Sequence, residues 1–216
     1  MKKLITIIFV TIALLLSGCA VKPKKTYDYS ALNESKPKSI LVVMPTNNSP
    51  EAKADTSVLS TVTYPLAELG YYVYPVALVD ETFKQNGITD GYAIQQTNIK
   101  KIQEIFGADS ILYINIKEYG TSYKVFDSVT TVELEGKLVD LRTGKVLWEG
   151  EGKHSQGSTN SNDGVLVALV KAAVSQIADT SRDYGFNVSQ VAMGQLVYVG
   201  SSGGLLIGPR HPNYNK

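Results

Sequence analysis

Cysteine occurs once in these 216 residues, histidine twice and tryptophan once. A single thiol excludes a disulfide scaffold and a thiolate metal cluster. The two histidines, His154 and His211, do not make a zinc site on their own, so neither metal nor cofactor is expected. Excess charge of one sign is also lacking, with 21 basic and 20 acidic residues. A nucleic-acid binder needs a clear cationic surplus, and a disordered chain needs more charge and less apolar content than the 44% found here. Long hydrophobic runs are scarce as well. Only Leu4 to Leu16 qualifies, and it falls short of the ~20 apolar residues that a spanning helix requires.

That run sits behind Lys2-Lys3 and ahead of Leu16-Ser17-Gly18-Cys19, the pattern of a bacterial lipoprotein signal. Small residues before the cut let the chain enter a peptidase groove extended. The Cys19 thiol takes a diacylglycerol, and cleavage between Gly18 and Cys19 frees the amine for a further acyl chain. Such an anchor holds at ~0.8 kcal/mol per buried CH2 over several chains and needs no transmembrane helix. It also consumes the one thiol. Removing residues 1–18 takes two lysines and no acid, leaving a formal charge of −1. Ala20 follows in place of aspartate, which by resemblance to sorted bacterial lipoproteins implies export to the outer membrane.

Residues 19–38 read as a lipid-anchored tether, residues 39–199 as one globular domain and residues 200–216 as a Gly/Pro-rich tail. Ser39 to Met44 is a β-rich run closed by Pro45. From an Asp55 N-cap, Val58, Val62, Leu66 and Leu69 keep helical spacing up to Gly70, with Pro65 set to kink or split the helix. Tyr71 to Val76 is a second strand, Val79 to Gln85 a short helix, and Thr97 to Phe106 a longer one capped by Gly107. Alternation then takes over in Ser110 to Tyr119, Val125 to Leu141 and the segment around Val146 and Trp148. This predicts a three-stranded antiparallel meander with one wet face. A loop spans Ser155 to Gly164, and Leu166, Leu169, Val170, Ala173, Val174 and Ile177 mark an amphipathic helix. Val188 to Val199 reads as a short helix with a strand-like end. The fold class is α/β (α+β): a β-α-β-α start, then the meander, completing a mixed sheet of about five strands packed with helices.

Catalytic patterns fail on inspection. Gly200-Ser201-Ser202-Gly203-Gly204 fits the nucleophile elbow, but no acid follows Asp183 and Leu205 to Pro209 makes a poor helix. A flexible turn is the simpler reading, and a periplasmic hydrolase using Ser202 is a remote alternative. Asp127, Glu133, Glu135, Glu149 and Glu151 could supply a carboxylate pair, but they alternate along a polar sheet face, where solvated surface is the simpler reading than acid–base work. Tyrosine, at 13, is the surplus. Amphipathic rings suit interfaces, and Tyr113, Tyr119 and Tyr123 mark a candidate contact surface, with plain strand propensity as the competing explanation.

Several blocks resemble a known family. They are Leu59 to Glu68, Tyr71 to Phe83, Phe106 to Asp109, Ile116 to Gly120, Val139 to Gly144 with Leu147 to Gly150, and Gly208 to Pro212. Together with the lipobox they resemble the uncharacterised bacterial lipoproteins that include a meningococcal outer-membrane vaccine candidate. The resemblance implies a compact α/β domain similar to the N-terminal domain of the Tol-system β-propeller protein and to the curli-export lipoprotein. It further implies homo-oligomers and an envelope partner resembling the curli exporter, because members tend to be encoded beside such a lipoprotein. The expectation is a non-enzymatic outer-membrane lipoprotein on the periplasmic side, serving a secretion or transport complex. Regulation of a peptidoglycan synthase is the alternative.

Overall fold

The computed structural model describes residues 27–123, 128–157, 184–198 and 203–214. Elements run α1 (Ser30–Ser35), β1 (Ser39–Val42), β2 (Thr46–Asn47), α2 (Ala54–Thr61), α3 (Thr63–Glu68), β3 (Tyr72–Val73) and α4 (Val76–Gln85). They continue with α5 (Gly91–Gln95), α6 (Ile99–Phe106), β4 (Ser110–Tyr123), β5 (Ser128–Asp140), β6 (Val146–Gly157) and α7 (Tyr184–Val197). The order β3-β1-β4-β5-β6, with β2 also paired to β4, makes a mixed six-stranded sheet. The added strand is β2, which is only two residues long and lies parallel to β4 beyond the end of β1.

Two halves of the sheet are built differently. β1 pairs in parallel with both neighbours, and Ile40, Leu41 and Val42 are all buried, as a strand covered on both faces must be. β4, β5 and β6 pair antiparallel and bury alternate residues, so the expected meander has one covered and one polar face. α7 lies across β5 and β6 and meets α2. Val188, Ala192, Met193, Leu196 and Val197 face inward, at most 2% exposed. Through Val197 the segment expected to end as a strand is therefore helix, with helical spacing putting all five on the sheet, and Val199 lies outside the described residues.

Glycine seats this helix. Gly152 lies directly beneath the α7 backbone, while Trp148 folds flat over Gly150 and touches the Gly136 position together with Leu196. Trp148, Gly150 and Gly152 alternate on the covered face, one large side chain spreading over the space that two absent ones leave.

Other boundaries shifted for local reasons. Pro65 has no N–H for the Thr61 carbonyl, and the helix breaks at Val62 into α2 and α3. Its N-cap is Lys53, which places Asp55 in the first turn. β3 stops after Val73 because Pro75 caps α4, so that helix starts at Val76 rather than Val79. α5 was not expected; Asp90 caps it by accepting from the Ala93 amide at 2.9 Å. The helix expected around Leu166 to Ile177 lies outside the described residues.

Candidate functional site

The uncovered face of the meander presents an ordered charge network. Asn115 Nδ2 donates to Glu135 at 3.0 Å, and Lys117 reaches Glu135 at 2.9 Å and Glu133 at 3.6 Å. Lys153 joins Glu133 to Glu118. Glu135 and Glu151 stand directly opposite across β5 and β6, a repulsive arrangement that Lys117 offsets. Hydrogen bonds from Asn115 and Lys117 hold the Glu135 carboxyl below its ordinary range, and the Lys153 contact does the same for Glu133. Toward β2, Asn115 Oδ1 accepts from Thr46 Oγ1 at 3.0 Å and Asn48 Nδ2 at 3.1 Å, and Tyr92 of α5 donates to Asn48.

A cleft of about 830 Å3 opens beside this network, with Tyr27, Tyr92, Gln95, Tyr113, Lys137, Glu149 and Glu151 among its lining. Burial pushes the Tyr113 phenol above its ordinary value.

Both chain ends close on the same region. The Glu149 amide donates to Tyr27 Oη at 2.7 Å, Tyr27 packs on Tyr29 with ring centroids 4.7 Å apart, and Tyr29 donates to the Gly204 carbonyl. Leu32 in α1 is 4% exposed, and Asp109 accepts from the Lys38 and Ser39 amides. Residues 27–38, read from the sequence as part of the tether, are thus fastened to the body by these short anchors. The described tail also lies on the body: Trp148 Nε1 donates to the Gly203 carbonyl at 2.8 Å, Leu205 is fully buried and Tyr71 donates to the Leu206 carbonyl. It reaches Gly70, where the Arg210 amide donates to the Gly70 carbonyl at 3.0 Å and the guanidinium sits 5.1 Å over Tyr72. Gly70 has φ +86° and no room for a side chain beneath His211.

The three tyrosines marked as one contact surface do not share a face. A bulge between Ile116 and Glu118 shifts the β4 register, so Tyr119 pairs with Val132 and turns to the covered side. It is 5% exposed there and hydrogen-bonds Ser57 at 2.9 Å. Tyr123 follows on that side at the exposed hairpin end, whereas Tyr113 stays on the polar face. His154 sits half-buried on β6 and His211 in the packed tail. Gly18, Cys19 and Ser202 lie outside the described residues. Among the described residues no group of three or more His, Cys, Asp or Glu is placed to hold a metal. Nor is any helix there long and apolar enough to cross a membrane.

Residues 27–210 match the family model described as "Putative lipoprotein GNA1162-like". The chain belongs to this family. Its curated relative in Neisseria meningitidis serogroup B, "Putative lipoprotein NMB1124/NMB1162", is 49% identical over 197 residues, covering 91% of this chain and 92% of the relative. The crystal structure of lipoprotein GNA1162 from Neisseria meningitidis is 51% identical, with a TM-score of 0.55 over 66% of this chain and all but 1% of that one, whose 99% is covered. A PelC dodecamer from Paraburkholderia phytofirmans is also similar, at 14% identity and TM-score 0.44, covering 80% of this chain and 93% of that one. Membership in the GNA1162-like family makes this an envelope-type lipoprotein, and the matched span takes in the blocks quoted from Leu59 to Gly150.

Proposed function

We propose that the protein is a non-enzymatic accessory module, held by lipid on Cys19 at the outer membrane and facing the periplasm. It assists a secretion or transport complex by binding protein partners, a curli-exporter-like lipoprotein among them, and it self-associates. The observation that carries this reading is the short span between Cys19 and Tyr27, the first described residue of the body. Eight residues reach at most about 29 Å when fully extended. A body held so close to its membrane meets partners confined to the same layer, where effective concentration lets a modest interface suffice. The same short reach counts against the alternative, a regulator that must extend through the cell wall to a peptidoglycan synthase. A Ser202 hydrolase lacks a downstream acid.

Two experiments test the reading. Metabolic labelling with an alkyne fatty acid should mark the wild type and not Cys19→Ser; label retained by the variant refutes lipid anchoring there. Crosslinking in intact cells with mass spectrometry should recover an exporter-like lipoprotein and copies of this chain. Recovery of a peptidoglycan synthase instead would favour the alternative, and recovery of neither would refute both.

A further inference from the structure

Polar groups around the 830 Å3 cleft fall into two sets. Thr46, Asn115, Glu135 and Tyr92 are bound to one another or to Asn48 and Lys117, which makes a rigid frame. The second set has no such commitment. Among the described residues, the side chains of Gln95, Lys137, Glu149 and Glu151 make no hydrogen bond or ion pair. The Tyr113 phenol is half-buried with burial as the one influence on it, and its oxygen is not sealed from solvent.

We propose that this cleft binds a saccharide carrying no negative charge. Lys137 and Tyr113 donate, Glu149 and Glu151 accept, and Gln95 does both, which suits a ligand whose hydroxyls donate and accept at every position. Tyr27, Tyr92 and Tyr113 add aromatic surface for the C–H faces of sugar rings. Three carboxylates, Glu135, Glu149 and Glu151, stand against two ammoniums, Lys137 and the neighbouring Lys117 that Glu135 and Glu151 share, so an anionic ligand is repelled. The volume lies within the roughly 300–1,000 Å3 of small-molecule sites. The hydrogen-bonded frame needs no further ordering, whereas Gln95, Lys137, Glu149 and Glu151 each lose rotamer freedom on binding, which holds the expected affinity to a modest level. On the lipid-anchored reading, Tyr27 also places the cleft within about 29 Å of the anchor. The test below uses unlipidated protein, so its failure leaves that reading untouched.

The complete mature chain carrying Cys19→Ser is titrated calorimetrically with trimers of N-acetylglucosamine, glucosamine and galacturonate. At least one of the first two should bind at millimolar concentration or below, and the galacturonate trimer should not. Tyr113→Phe and Glu151→Gln should each weaken binding about two- to tenfold, the worth of a hydrogen bond. Lys84→Ala, on α4 and outside the cleft lining, should leave it unchanged. Melting temperatures of the variants separate lost affinity from lost fold. Absence of binding by both non-anionic trimers overturns the proposal. So does equal binding of the anionic one, or affinity that survives both cleft substitutions.

Discussion

Replacing Gly152 with alanine tests how α7 is seated on the sheet. A Cβ there would lie 2.6 Å from the Leu196 amide nitrogen, 2.8 Å from its Cα and closer still to the Ala192 carbonyl oxygen. All three are backbone atoms, so no rotamer change relieves the clash. Restoring ordinary contact near 3.5 Å requires α7 to withdraw by about 1 Å. That loosens Val188, Ala192, Met193, Leu196 and Val197 together, all of them buried. Overpacking of this kind costs ~1–3 kcal/mol, and a purely backbone clash belongs at the upper end. For a chain of this size, about 3 kcal/mol lowers the melting temperature by about 6–12 °C. Gly194→Ala supplies the control: it lies in the same helix with open space around its Cβ, and should gain about 0.5–1 kcal/mol. Thermal unfolding followed by circular dichroism reads both. If Gly152→Ala melts with the wild type, α7 does not rest on β6 as described and the argument is refuted.

The Asp140 carboxyl is pushed up by burial, but hydrogen bonds from Arg142, Ser35 and the Thr143 amide outweigh this and hold it far below the usual range. Its contribution is therefore full above the unfolded carboxylate value of about 4 and is lost as pH falls toward the folded value. Asp140→Asn should cost about 2 kcal/mol near neutrality, narrowing below about pH 4, as read from urea midpoints; a gap constant with pH contradicts this. Tyr119→Ala should destabilise by ~3–5 kcal/mol as a core deletion; unchanged stability would return Tyr119 to the surface. Gly70→Ala forces a side chain into a left-handed backbone against His211. It should free the tail and speed tryptic cleavage after Arg210, seen by mass spectrometry, and an unchanged cleavage rate argues against the packed tail.

Legibility followed the range of the interactions. Hydrophobic alternation exposed the meander, because a strand with one covered face must repeat every second residue. Gly70 and Gly107 marked helix ends through backbone conformations that depend on the residue alone. The bulge at Lys117 carried no local signal, and a one-residue slip reversed the face of Tyr119. The tether boundary was hidden likewise. Tyr27 and Tyr29 look like linker residues until Glu149 and Gly204, more than a hundred positions away, supply their partners.

Of the candidate site, its polar strands were visible and its cleft was not. Glu135, Lys137, Glu149 and Glu151 announce a solvent-facing sheet, but Gln95 and Tyr92 arrive on α5, which packs beside β2. The sequence alone determined the lone cysteine in its lipobox setting, the balanced charge and the alternation of the meander, since each depends on neighbouring residues or on totals. Tertiary structure decided which tyrosines are core, that residues 27–38 pack on the body and which polar side chains lack partners among the described residues. Those outcomes depend on groups distant in the chain meeting at fixed distances, and no local pattern encodes such a meeting.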